Sequence, residues 1–245
     1  MGKERLDVLV TERGLAESRE RAQKLILAGQ VRLAGQPATK PGQRVDAATD
    51  IEVVEGLRYV SRGGEKLEAA FREFALDVTG RTCLDVGSST GGFTDCLLQH
   101  GARRVYAVDV GKGLLHWKIR NDPRVVVKEG INARRLDEGS LPERARMATV
   151  DVSFISLTKI LPAVIVVMES DFEIVTLIKP QFEAGRRQVS RGGVVRDEAV
   201  RRETVERIRK FGTEELGMTW AGVCESPLRG PAGNVEFLAY WRGTR

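Results

Sequence analysis

The stretch Asp85-Val-Gly-Ser-Ser-Thr-Gly-Gly-Phe93 constrains this chain more than any other. It follows a short apolar run, Thr82–Val86, and opens a helical pattern at Phe93. A strand that ends in a glycine turn and feeds a helix brings together a backbone that can approach a ligand closely and the unpaired N–H groups of a helix start. In a doubly wound sheet this is the edge where nucleotide-like ligands bind. The pattern is not G-x-G-x-x-G, so the dinucleotide fingerprint itself is broken.

The surroundings fit such a sheet. Helix and strand patterns alternate: a helix over 65–74, strands over 82–86, 104–109, 125–128, 147–152 and 173–178, and helices over 93–100, 114–119, 157–168 and 198–211. Short, nearly all-apolar strands separated by helices imply a parallel sheet covered on both faces. The tail differs, with strands over 220–224 and 235–241 around a Pro/Gly turn, which predicts a terminal antiparallel pair. An α/β domain whose mostly parallel, seven-stranded sheet ends in an antiparallel strand is the layout of Rossmann-like class I methyltransferases.

Residues at the strand ends follow from this layout. Asp109 ends the second strand, 22 residues after Gly87, where an acid accepts from ribose hydroxyls. S-adenosylmethionine and NAD both need that acceptor, so Asp109 alone does not choose between them. Gly87, Ser88, Ser89, Thr90, Gly91, Gly92 and Phe93 form the turn, and Val110 follows Asp109. Asp85 is placed to support a methionine amino group, directly or by ordering the loop, and Glu129 and Asn132 to border an adenine.

Four further charges sit among apolar neighbours and need partners: Lys66 after Ser61-Arg-Gly-Gly, Asp151 at the end of the fourth strand, Lys179 at the end of the fifth, and Glu236 in the last strand. Two lysines and two carboxylates can neutralise one another as a structural cluster. Beside a cofactor loop they can also manage a proton. Methyl transfer to a ribose 2′-hydroxyl asks for that, and Lys179 is the candidate base or cation, with Asp151 and Glu236 orienting Lys179 and Lys66. The Asn/Asp-Pro-Pro-aromatic motif of amine methylation is absent, since the position reads Asp151-Val-Ser-Phe154, and no strand-end cysteine suits attack on a pyrimidine. Asp151 also borders the cofactor loop.

The first 60 residues read as a separate α+β unit: helices over 5–13, stopped at Gly14, and from the N-cap Ser18 to Gly29, then strands over 30–33, 36–38 and 50–54. The 245 residues carry a net charge of +5, mildly basic and compatible with a polyanionic partner. Three distant cysteines and two histidines show no Cys/His ligand spacing, so no metal is expected. The charged N-terminus has no apolar signal core and the longest apolar run, 161–168, is too short to cross a bilayer, so the expectation is a cytoplasmic protein without a membrane partner.

Together, Arg5-Leu-Asp-Val-Leu-Val, Ser18-Arg-Glu-Arg-Ala-Gln-Lys-Leu-Ile, Tyr59-Val-Ser-Arg-Gly-Gly-Glu-Lys66-Leu, the glycine turn through Asp95, Asp151-Val-Ser-Phe-Ile-Ser-Leu, Lys179-Pro-Gln-Phe-Glu and Gly233-Asn-Val-Glu236-Phe resemble the haemolysin-A (TlyA) family. These are bacterial ribosomal RNA cytidine 2′-O-methyltransferases with an FtsJ-like catalytic domain, and the likeness runs over essentially the whole chain. It implies S-adenosylmethionine as cofactor, a Lys-Asp-Lys-Glu tetrad at Lys66, Asp151, Lys179 and Glu236, and large-subunit ribosomal RNA, in some members also small-subunit RNA, as substrate. It implies an RNA-binding domain of the ribosomal S-four type over residues 1–59, a linker over 60–64 and the catalytic domain over 65–245. In that domain Arg19, Arg21, Lys24 and Arg32 would face phosphates, with Arg5 and Arg62 as further RNA contacts. Arg186, Arg187, Arg191 and Arg196 predict a mobile RNA-clamping loop over 183–196, ordered on binding. Ribosomal RNA or ribosomal subunits are the expected partners and the chain is expected as a monomer or weak homodimer. The alternatives are a non-enzymatic RNA-binding or ribosome-assembly factor and a membrane-lytic haemolysin.

Overall fold

The computed structural model describes residues 3–27, 30–38, 40–54 and 58–245, with the side chains of Pro37 and Arg186 left undescribed. The chain divides into two compact units, Met1–Arg58 and Tyr59–Arg245.

In the first unit a strand, β1 (Lys3–Arg5), leads into helices α1 (Leu6–Glu12) and α2 (Arg19–Leu27). Strands β2 (Val31–Leu33), β3 (Gln36–Ala38), β4 (Arg44–Asp46) and β5 (Ile51–Val53) follow. They form a three-stranded sheet, β3-β2-β5, and a separate β1-β4 pair. That pair was not expected, because Lys3-Glu4-Arg5 is fully exposed and carries no apolar alternation. Leu6, Leu9 and Val10 of α1 close on Ala22, Leu25 and Ile26 of α2. Gly14 adopts φ +69° just past α1, which glycine tolerates without strain. The expected helix stop at Gly29 lies outside the described residues.

The second unit begins with Tyr59 buried and α3 (Gly63–Phe74) two residues earlier than expected. Residues 60–64, expected as a linker, belong to this unit. The Val60 N–H donates to the Asp95 carboxylate at 2.8 Å. Then come β6 (Thr82–Val86), α4 (Gly92–Gln99), β7 (Arg104–Asp109), α5 (Trp117–Arg120), β8 (Val125–Glu129) and β9 (Ala145–Val150). They are followed by α6 (Leu161–Val166), β10 (Met168–Ile178), α7 (Pro180–Glu183), α8 (Glu198–Lys210), β11 (Thr219–Glu225) and β12 (Phe237–Thr244).

The sheet order is β11-β12-β10-β9-β6-β7-β8. Only β12 runs against its neighbours. The order reverses at β6, which has β7 on one side and β9 on the other, and this switch point opens the crevice above the strand ends. Alternate residues of β6 feed opposite cores: Leu84 and Val86 join one buried cluster, Cys83 the other.

Several boundaries moved. The helix expected over 157–168 is a short turn, Leu157–Lys159, then α6, and Met168 already belongs to β10. The helix expected over 114–119 contracts to α5, whose N-cap is the His116 side chain accepting from the Lys118 N–H. Asp151 and Glu236, expected inside strands, stand one residue beyond β9 and one residue before β12.

Candidate active site

The glycine turn is held from both sides. Gly87 adopts φ +83°, and a Cβ there would lie 2.3 Å from the Asp151 carbonyl oxygen, so the backbone contact itself demands glycine. The Gly87 N–H donates to the Val108 carbonyl at 2.8 Å and the Asp151 N–H to the Val86 carbonyl at 2.9 Å. Gly92 touches the start of α3, where a Cβ would meet the Gly64 nitrogen at 2.8 Å. Ser88 and Phe93 are buried.

Asp109 ties two loops together. One carboxylate oxygen accepts from the Ser89 N–H at 2.8 Å and the other from the Gly111 N–H at 2.7 Å. Each oxygen keeps acceptor capacity for a hydroxyl. Asp109 lines a cleft of about 490 Å³ with Gly87, Ser89, Val110, Leu114, Asn132 and Asp151. A smaller pocket of about 160 Å³ is lined by Ser61, Gly63, Gly87–Thr90, Gly92, Phe93 and Asp151. The two share Gly87, Ser89 and Asp151, so one elongated ligand can run from the apolar cleft past the glycine turn. An apolar wall, a carboxylate for vicinal hydroxyls and a glycine turn fit the adenosine, ribose and amino-acid portions of S-adenosylmethionine.

Two expected cofactor contacts are placed differently. Glu129 lines neither pocket; its carboxylate accepts from the Gly113 N–H at 2.9 Å and pairs with Arg120 at 2.5 Å. The Gly113 amide, then Arg120, hold it below the usual carboxylate range, so it orders the turn after Asp109. Asp85 is fully buried and its oxygens accept from the Thr94 hydroxyl at 2.6 Å and the Thr149 hydroxyl at 2.9 Å. Of the two roles offered for it, that geometry favours ordering the loop.

The four charges form two short ion pairs. Lys179 Nζ lies 2.5 Å from an Asp151 oxygen and donates to Ser153 Oγ at 2.9 Å. Lys66 Nζ lies 2.5 Å from a Glu236 oxygen. Gln181, two residues beyond Lys179 in the chain, donates to the other Glu236 oxygen at 3.5 Å. Both lysines and Glu236 are largely removed from solvent.

Two contributors escaped the sequence reading. Glu183 is buried and accepts from Ser156 Oγ at 2.6 Å and the Leu157 N–H at 2.7 Å, binding the 151–157 loop to the chain after Lys179. Burial pushes its carboxyl up, against those hydrogen bonds. Phe154 lines the cleft with its side chain 91% exposed and its backbone at φ +62°, 4.9 Å from the Phe182 ring. A bulky residue in the left-handed region is strained, and that strain marks functional loops. Its place in an apolar run hid it. Cys96 and His100, four apart, also join Glu68 within 4.8 Å, a Cys/His spacing the sequence reading overlooked. Glu68 there already accepts from Tyr59 Oη and meets His100 Nε2, each at 2.7 Å.

The cations expected to face RNA differ in their commitments. Arg5 and Arg19 both hydrogen-bond to Asp7, which is fully buried, and Lys24 pairs with Glu20. Arg5 first, then Gln23 and Arg19, hold the Asp7 carboxyl well below the usual range. Arg21, Arg32, Arg62, Arg187 and Arg191 are exposed. The far end of the loop over 183–196 is anchored within the catalytic unit. The Asn234 amide, 2% exposed, accepts from the Val195 N–H at 2.9 Å and donates to the Gly193 carbonyl at 2.8 Å.

Known proteins match both units. The family model described as FtsJ-like methyltransferase matches residues 59–242. The chain belongs to that family. An S4 domain model matches residues 4–51. The chain is 48% identical over 240 residues to the 16S/23S rRNA (cytidine-2′-O)-methyltransferase TlyA of Mycobacterium tuberculosis, covering 97% of this chain and 89% of that one. It is 46% identical over 242 residues to Hemolysin A of Brachyspira hyodysenteriae, covering 97% and 99%. A solved Streptococcus thermophilus structure, provisionally named a hemolysin, superposes with a TM-score of 0.77 at 44% identity, covering 100% of this chain and 90% of that one. Family membership makes this chain an enzyme and speaks against the non-enzymatic alternative. No helix among the described residues is long and apolar enough to cross a membrane.

Proposed function

We propose that this protein transfers a methyl group from S-adenosylmethionine to the 2′-oxygen of a cytidine ribose in ribosomal RNA. The observation that carries the reading is the Lys179–Asp151 pair at 2.5 Å, with Asp151 on the wall shared by both pockets. The S4 match and the activity named for the Mycobacterium tuberculosis relative support RNA, of the large subunit and also of the small one, as substrate.

Bound S-adenosylmethionine supplies an electrophilic methyl group on a sulfonium. Asp109 and Asn132 orient the nucleoside end, and Gly87–Thr90 admit the amino-acid end to close backbone contact. The Lys179 amine carries three N–H donors. Ser153 takes one and Asp151 stands in ion-pair contact at 2.5 Å, and the amine's remaining donor capacity meets the attacking sugar oxygen, whose developing negative charge it stabilises. The hydroxyl proton passes to the Asp151 carboxylate, the acceptor of the pair, and on to water. Glu236 fixes the Lys66 amine, and Phe154 offers an exposed aromatic face to the substrate at the cleft.

Lys179→Ala tests the reading. Methyl transfer to ribosomal RNA from cells lacking the protein should fall by roughly 10²–10⁴-fold. Calorimetric affinity for S-adenosylmethionine should change by no more than about twofold, because the side chain lines neither pocket. Turnover near the normal rate would remove Lys179 from the chemistry, and methylation mapped to a base would remove the ribose assignment.

A further inference from the structure

Trp117 is 71% exposed on a helix that does not need it for packing. The neighbours that anchor α5 are Leu115 and Ile119, 5% and 1% exposed, which close on Gly91 so tightly that a Cβ there would meet Leu115 Cδ1 at 2.9 Å. The His116 N–H fastens the same segment to the Thr90 carbonyl at 3.1 Å. Trp117 is therefore held rigidly beside the glycine turn while its indole faces water, three residues past Leu114 on the cleft wall.

Cations prevail around it, because the nearby acids are already engaged: Glu129 by Arg120, Asp122 by Arg124, and Asp109 by the Ser89 and Gly111 N–H groups. Residues 110–121 contain Lys112, Lys118 and Arg120 and no acid. Lys112 is exposed, with its Cε set against Gly130. Lys118 touches an acid only at 4.0 Å, through buried Asp95. Arg134, on the opposite cleft wall, is exposed and forms no ion pair among the described residues. A rigid, exposed aromatic face set among cations is the arrangement that holds an unpaired nucleobase by stacking and its phosphates by charge.

We propose that Trp117 is a stacking platform for an unpaired base of the RNA substrate lying outside the methylation pocket, with Lys112 and Lys118 meeting the flanking phosphates. This rests on the ribosomal RNA reading above and adds a docking surface to it. The charge pattern chooses RNA over a second copy of this net-basic chain.

The chain has three tryptophans, and the other two report elsewhere. Trp220 and Trp241 pack edge to face at 4.6 Å, with Trp241 fully buried. Titrating the full-length protein with ribosomal RNA from cells lacking it should quench tryptophan emission, and Trp117→Leu should remove most of that quenching. The same variant should bind this RNA roughly tenfold more weakly. Trp117→Tyr should regain most of the affinity, and S-adenosylhomocysteine affinity and melting temperature should stay at the parent values. Unchanged RNA affinity in Trp117→Leu, with methylation intact, overturns the platform and leaves the proposed function standing. Wild-type protein that binds no RNA overturns both. Quenching by S-adenosylhomocysteine alone, or by raising protein concentration without RNA, assigns the indole to the cofactor or to self-association and overturns the proposal as well.

Discussion

Asp85 shows how one buried side chain sets the pH response of the catalytic unit. Burial, opposed by hydrogen bonds from Thr94 and Thr149, pushes its carboxyl up to about 6 from an ordinary 3.8. Between about pH 4 and 6 the native state holds a proton that the unfolded chain has released, so stability falls as pH rises through that window and levels off above it. The shift corresponds to about 3 kcal/mol at neutral pH. Asp85→Asn should remove that part of the slope and raise the melting temperature at pH 7.5 by about 5 °C. It should also weaken S-adenosylmethionine binding less than Asp109→Asn does, because the Asp85 carboxylate faces the two threonines. Thermal melts of both chains from pH 4 to 8 check this; a variant that melts lower at pH 7.5 sinks it. Asp151, Lys179 and Glu236 stood out in the sequence as charges at apolar strand ends, and Lys66 as a charge in a largely apolar helix. Glu183 and Phe154 did not, since one reads as ordinary loop polarity and the other as core, and only three-dimensional packing reveals the buried carboxylate and the strained, exposed ring.

At the level of elements, the sheet and its glycine turn could be read because parallel strands buried on both faces leave short apolar runs with little else to mean. The β1-β4 pair could not, because five of its six residues are exposed and charged and only Val45 is buried. The arginine-bearing loop taught a third lesson: glycines and cations predict mobility, yet a single buried amide 39 residues away restrains Val195. Asn234→Ala would leave two backbone groups of that loop without their partner, each worth about 1–3 kcal/mol when buried. The loop should then open locally. Limited proteolysis around Gly192-Gly193 should quicken severalfold, and the KM for RNA should rise more than kcat falls. Equal proteolysis of parent and variant would show that Asn234 does not hold the loop.

At the scale of the whole molecule, the proposed RNA contacts fall on both compact units, and they should act as separate contributions to one binding free energy. Arg21 and Lys24 lie in the first unit, yet they are not equivalent. Lys24 already pairs with Glu20 at 2.8 Å, whereas Arg21 forms no ion pair among the described residues. A cation held by a neighbouring carboxylate gives up that pairing to meet a phosphate, so Arg21→Glu should weaken RNA binding more than Lys24→Glu. The slope of log affinity against log salt should shallow by roughly one for each phosphate that is no longer neutralised. Because these residues lie outside the catalytic unit, neither change should alter S-adenosylmethionine affinity or kcat at saturating RNA. Added to Trp117→Leu, either should combine with it additively within about 0.5 kcal/mol, as sites with no shared partner do. Binding measured by filter retention at several salt concentrations decides the matter. An unchanged salt slope would take the first unit out of phosphate recognition. Strong non-additivity would mean that the two units read the RNA as one coupled surface.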